Sequence, residues 1–403
     1  MPELRARWAA VAGRIDSATP TGRDRSVDAL RAVAICGVVL GHWLITSLNP
    51  AEGGLRTSSP LSSMPWLAPL SWVLQTLSVF FLVGGHVGAL SYAAARAAGV
   101  SYGQWIGRRL GRLFRPVAAV LVLWTVVAGA MLVTGVEFGT VRGLVRLVLS
   151  PMWFLLVFAC LTALTPLVAR LSPLWPLAVV AVVDGWRFAL DGPAWIGWVN
   201  VPAGWLVPYV LGAAWARGAF TARRAPAVLM LAGGVVATAA LVLWGGYPAS
   251  MVGVPGAAIS NLNPPTLAAV TFGLAQCALA LLVREPLARV MRKPGAWAGV
   301  ALVNLSAMTV FLWHQTAMMC VTALGLGSGV ELPGLLTAAD SASWMAARLL
   351  WLPVFGAALL VCRAAFHTYE RGGREQGGRE QRSRGTSRIV RAGIAPAPVV
   401  TRA

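Results

Sequence analysis

Long apolar runs recur ten times along this chain, separated by short stretches of arginine, glycine and proline. They fall near 27–48, 68–95, 116–135, 147–168, 174–190, 196–216, 227–245, 265–284, 297–326 and 344–366. Each lies near or above the roughly 20 residues that cross a bilayer as a helix. The pattern predicts an all-α, polytopic membrane bundle of about ten transmembrane helices. It also divides the chain into a polar segment (1–24), a membrane domain (25–370) and a basic tail (371–403). The tail repeats GGREQ at 372–376 and 377–381 and is expected to be disordered.

Composition strengthens this reading. Hydrophobic residues make up 57% of the 403, charged residues 12%, and the mean hydropathy is +0.70. A soluble domain carries roughly twice that charged fraction. The net charge of +19 invites a nucleic-acid partner, but its distribution argues against one. Most of the 33 lysines and arginines lie in the termini and in alternate loops, such as Arg108, Arg109, Arg112 and Arg115, or Arg289, Arg292 and Lys293. The loop at 246–264 has no charge and the one at 327–342 has only acids. This is the positive-inside bias that sets membrane orientation. It predicts a multi-pass protein of the cell (plasma) membrane with both termini cytoplasmic and no nucleic-acid partner. The basic tail is expected to be drawn to anionic lipid by about 1 kcal/mol per cation near the surface. About 25 polar residues precede the first run, so no cleavable signal peptide is expected. Cys36, Cys160, Cys277, Cys320 and Cys362 all sit inside apolar runs without a CxxC spacing, so neither a disulfide framework nor a metal site is indicated.

Against this background the polar residues inside the runs stand out. The first run carries Asp28, Arg31 and His42. Eleven residues at 100° each are three turns plus about 20°, so Arg31 and His42 share a stripe, about 16.5 Å apart along the axis. Asp28, three residues before Arg31, joins that face. With Arg31 at the membrane boundary, His42 lies inside the hydrocarbon layer, where charge is costly. A neutral imidazole avoids much of that cost and is available as a base. Spacing alone leaves a second reading open, in which Arg31 snorkels and pairs with Asp28 while His42 is structural glue. His86 sits between glycines in FFLVGGHVGALSY, and His314 lies amid apolar residues in FLWHQ. Arg109 and Arg112 are neighbours on a helix entering the membrane at Pro116, a pair suited to gripping phosphates or serving only as orienting charge. No nucleophile elbow, HExxH, Walker loop or glycosidase-like acidic pair occurs. The layout suits a ligand with a phosphate-rich end in the cytoplasm and a reactive end at mid-membrane. A transporter or flippase for a glycolipid or small solute is the rival class, with the same stripe lining a pathway. No long internal repeat supports it.

Several segments, in order, resemble the acyltransferase 3 family of bacterial integral-membrane acyltransferases. They are SVDALRAVAICGVVLGHW with Arg31 and His42, SVFFLVGG, and RRLGRLFRP with Arg109 and Arg112 (Arg112 and Arg115 form a second register). PMWFL around Trp153, NLNPPTL at 261–267, FLWHQ with His314 and the pair Tyr369-Glu370 follow, so the match covers about 25–370. The resemblance implies transfer of an acyl group, often acetyl, from acyl-CoA to a hydroxyl of a carbohydrate or glycosylated acceptor, without a bound cofactor. It implicates Arg31 and His42 and the pair Arg109 and Arg112; Asp28 is expected to orient Arg31. Trp153, His86 and His314 are expected to contribute to substrate binding. The chain departs from the family pattern at Gly84-Gly85-His86, where Ser-Gly and an aromatic are common, and is expected to act without the fused esterase-like domain that some members carry. His42 is then either a general base or the nucleophile of an acyl-histidine intermediate.

Overall fold

The structure is a computed structural model describing the backbone of residues 2–51 and 54–391, with side chains described to Phe366. The side chains of Tyr369-Glu370 and of the tail expected to be disordered, 371–403, lie outside the described residues. The main helices are α1 (Pro2–Ser17), α2 (Arg25–Ile45), α3 (Leu77–Ala97), α4 (Tyr102–Val133), α5 (Phe138–Leu149), α6 (Trp153–Ala163) and α7 (Leu174–Ala189). They continue with α8 (Asn200–Ala216), α9 (Ala225–Trp244), α10 (Leu267–Val290), α11 (Pro294–Leu305), α12 (Ala307–Gly327) and α13 (Ala342–Arg391). A hairpin of β1 (Ser47–Ala51) and β2 (Gly54–Ser58), paired antiparallel with Asn49 opposite Arg56, follows α2.

Among the described residues, 8 helical stretches are long and apolar enough to cross a membrane, against the ten expected. The expected spans at 174–190 and 196–216 exist as α7 and α8, but at 16 and 17 residues they fall short. A buried polar knot ties α7 to the start of α8. The Asp184 carboxylate on α7 accepts from Asn200 Nδ2 at 2.8 Å, from the Tyr247 hydroxyl at 3.1 Å and from the Leu267 backbone N–H at 2.6 Å. The starts of α8 and α10 are thereby tied to the end of α7. Burial, and then the neighbouring Asp184, hold the Tyr247 hydroxyl above its ordinary range, which keeps it a donor.

Two more boundaries differ from expectation. The run at 297–326 is not one helix: α11 ends before Ser306, whose φ of −110° breaks the helical path, and α12 begins anew. The run at 147–168 starts earlier, as α5, and turns through Ser150–Met152 into α6. By contrast, α4 runs unbroken through Pro116.

Close packing is concentrated between α3 and α8. A Cβ at Gly85 would lie 1.9 Å from the Tyr209 carbonyl oxygen, and one at Gly212 would lie 1.9 Å from that of Leu82. Each helix therefore needs a glycine where the other's backbone passes. A second seam joins α2, α4 and α12: Trp43 Nε1 donates to the His314 carbonyl at 2.9 Å and Trp124 Nε1 to Thr316 Oγ1 at 3.0 Å. Arg348 of α13, fully buried, donates to the carbonyls of Trp43 (2.7 Å), Thr46 (2.7 Å) and Gly334 (3.0 Å). A cation set on the carbonyls that end α2 complements the negative end of that helix.

Two faces result. One carries the ends at Arg23, Arg31, Arg109, Arg112 and Arg289, with α1 packed on α11 and joined to it by Trp297 Nε1 donating to Thr19 Oγ1 at 2.8 Å. The other carries the β-hairpin, the uncharged 246–264 loop and the acidic 327–342 loop.

Candidate functional site

The lower half of the site is the α2 helix itself. Asp24 caps its N-terminus, accepting from the backbone N–H groups of Ser26 and Val27. Asp28 is buried in the first turn. Its closest cation is not Arg31 but Arg23, which donates from Nε at 2.6 Å and from its terminal nitrogen at 3.0 Å. Arg31 reaches the same carboxylate at 3.6 Å. The hydrogen bond to Asp28 raises the Arg23 guanidinium above its ordinary value. Asn304, at the end of α11, donates to the Asp28 carbonyl at 2.8 Å. Neither Arg23 nor Asn304 stood out in the sequence; Arg23 sits in a polar segment and Asn304 inside an apolar run.

Arg31 and Arg109 are close enough for their charges to repel, and Arg112 adds to the field on Arg109. Among the described residues neither Arg109 nor Arg112 has an acidic partner. Arg109 instead lies over the Trp105 ring at 5.4 Å, and Arg112 donates to the Arg108 carbonyl at 3.2 Å. Three guanidinium groups from two helices thus share one end of the bundle, and the one carboxylate paired with any of them among the described residues, Asp28, is already bound by Arg23. Such a set is suited to polyanionic phosphate.

The upper half is a cavity of about 1040 Å³ that opens on the opposite face. His42 lines it, with Gln315, Trp153, Phe154 and Phe311, while the β-hairpin and α5 supply much of the mouth. The hairpin is held there by Leu55 N–H donating to Thr140 Oγ1 at 3.0 Å. The volume is at the upper end of the roughly 300–1,000 Å³ typical of ligand pockets. Thr46, Thr57, Ser58, Ser71 and Thr140 are among its polar lining residues. Arg31, Arg109 and Arg112 do not line this cavity; they lie toward the other face, with Arg31 eleven helical residues from His42.

Gln315, which the sequence did not single out, meets His42 directly, its amide nitrogen 3.1 Å from Nδ1. With that nitrogen donating, Gln315 Oε1 is buried without a partner. Turning the amide over lets Oε1 accept from Nδ1–H instead and leaves the lone pair of His42 on Nε2, the remaining ring nitrogen. His314 is fully buried behind this pair. Its ring centroid is 5.1 Å from that of His42, and its Nδ1 is 2.6 Å from the Phe311 carbonyl, fixing Nδ1–H as donor. Its Nε2 is buried and unpartnered, and the residue does not line the cavity. His86 lies elsewhere: it stacks on Trp215 at 3.9 Å, toward Asp24 and Arg284 on the arginine-rich side. In NLNPPTL, Asn261 is structural, donating to the carbonyls of Pro248 and Ser250 and accepting from Thr266; Asn263 reaches the cavity. No group of His, Cys, Asp or Glu suited to a metal ion occurs among the described residues.

A helical membrane bundle with an imidazole at the wall of a polar cavity, and unpaired arginines on the far side of it, has the layout of a membrane-embedded group-transfer protein. The family model described as an acyltransferase domain, acyltransferase 3, matches residues 24–367, nearly the whole chain, and the chain belongs to that family: it is an integral-membrane O-acyltransferase. No curated protein and no solved structure gives a significant match.

Proposed function

We propose that this enzyme moves an acyl group, acetyl in the simplest case, from acyl-CoA held at its arginine-rich, cytoplasmic face to a hydroxyl of a carbohydrate acceptor entering from the opposite face. The observation that carries the reading is His42. It stands on the cavity wall, on the same helix as Arg31 and about 16.5 Å along it. Arg31, Arg109 and Arg112 hold the donor's phosphates, with Asp28 steadying Arg31 and Arg23 together. The donor's extended arm then spans the gap to His42. The acceptor's sugar ring lies against Trp153, with polar lining residues such as Thr46, Thr57 and Asn263 within the same cavity to bond its hydroxyls. His86 belongs to the donor side, and His314 supports the His42 ring from behind.

In the transfer step, Nε2 of His42 takes the proton of the acceptor hydroxyl while its oxygen attacks the thioester carbonyl carbon. The C–S bond breaks, and the proton passes to the leaving thiolate. A positioned general base contributes about 10²–10⁴-fold. The acyl-histidine route differs in that Nε2 itself attacks first and the acceptor then displaces it. Both routes require His42, in an enzyme that this reading sets in the plasma membrane with both termini cytoplasmic.

The test is transfer of radiolabelled acetyl from acetyl-CoA to mixed glycan acceptors in membranes carrying the wild type or variants. Arg109→Ala/Arg112→Ala should raise the donor KM with a smaller change in kcat, and His42→Ala should remove turnover. Equal donor KM values in the wild type and the double-arginine variant would remove the donor site from this account.

A further inference from the structure

The arginine-poor face has few basic residues, as the orientation bias demands. Two of them are spoken for: Arg187 lies 3.7 Å from Asp184, and Arg348 is buried among carbonyls. The other three described ones, Arg56, Arg142 and Arg146, all line the His42 cavity. None has an ion-pair partner among the described residues, and Glu137 is the one acid on the described wall. Arg142 and Arg146 are four apart on α5, so their like charges share a face at a cost to helix stability. Arg56 comes from β2, which is docked on α5 through Thr140, so the three cations converge on one mouth. Residues that oppose the orientation bias, repel one another and gather at the entrance to a reactive imidazole have a shared explanation in an anionic ligand. A cleft lined by one sign of charge concentrates ligands of the opposite sign.

From this we infer that the acceptor is acidic: a glycan bearing carboxylate or phosphodiester groups near the hydroxyl that is acylated, bound through Arg56, Arg142 and Arg146. The inference rests on the acyl-transfer reading for the acceptor's role, while the anion site itself rests on the cavity alone. Guanidinium groups bind either anion through paired, charge-assisted hydrogen bonds, so carboxylate and phosphodiester share the recognition chemistry.

The test reads binding without turnover, using the full chain purified in uncharged detergent. The probes are an oligogalacturonate, its methyl-esterified and hence neutral counterpart of equal length, and a glycerol-phosphodiester oligomer. The wild type should bind at least one anionic probe roughly tenfold or more tightly than the neutral one, a gap worth about 1.4 kcal/mol per decade. The margin should shrink as salt rises, and should vanish in Arg56→Gln/Arg142→Gln/Arg146→Gln. The uronate and phosphodiester arms then identify the anion. Equal affinity for the charged and neutral probes would overturn the inference. So would a preference that survives in the triple variant, which would assign it to the basic termini. Absence of acyl transfer to every acceptor, with the arginine-dependent binding intact, would count against the proposed function instead.

Discussion

The role proposed for His42 depends on one neighbour, Gln315. The ring has two nitrogens, and the one held by Gln315 decides which is left for the cavity. When Gln315 accepts from Nδ1–H, Nε2 carries the lone pair and can take a proton or attack a carbonyl. Gln315→Leu should therefore lower kcat by up to about 10²-fold, the scale of a misaligned catalytic group, while the donor KM stays near wild type. Gln315→Glu, which can only accept in its ionised form, should retain more activity than the leucine variant. Steady-state kinetics with both variants check this, and identical losses would make Gln315 a packing residue. The stripe of Asp28, Arg31 and His42 was legible in the sequence because helical periodicity alone places it. Gln315 was not, because an amide beside a histidine in FLWHQ carries no spacing signal until α12 is set against α2. Arg23 was missed for a related reason: its tie to Asp28 bridges the start of the helix rather than one of its turns.

Helix–helix contacts decide how far each polar group can move. The α3–α8 crossing leaves no room for a methyl group at Gly85, where it would meet backbone rather than a side chain able to yield. Gly85→Ala should destabilise the protein by about 1–3 kcal/mol or more. Gly129→Ala, in α4 with open space around it, should be neutral or stabilising by up to about 1 kcal/mol. Thermal unfolding in one detergent distinguishes them, and equal melting temperatures would contradict the packing account. The apolar runs announced nearly every helix, since the bilayer imposes a single length requirement on all of them. Their ends were less legible. The start of α8 is tied to Asp184, which also meets Tyr247 and Leu267, partners as many as 83 residues away. The break at Ser306 sits in sequence that reads as continuous.

Across the whole molecule, charge separates the two ends of the bundle, and the cavity opens at the end where charge is scarce. Cysteines introduced at Arg112 and Arg142 should react with an impermeant thiol reagent from opposite sides of the membrane, Arg112→Cys from the cytoplasm and Arg142→Cys from outside. Labelling of both from one side would refute the topology. The loop charges are the sequence signal behind this expected orientation. The cavity was not legible, because it is assembled from α2, the β-hairpin, α5, the 246–264 loop and α12, whose meeting no local pattern encodes.

The most direct test of the central claim is hydrolysis of acetyl-CoA by the purified, monodisperse protein without acceptor, comparing wild type with His42→Ala and Arg31→Ala. Water replaces the acceptor hydroxyl, so slow hydrolysis should occur in the wild type, disappear with His42→Ala and weaken through a higher KM with Arg31→Ala. Hydrolysis or acceptor turnover at the wild-type rate in a folded His42→Ala protein would contradict the account.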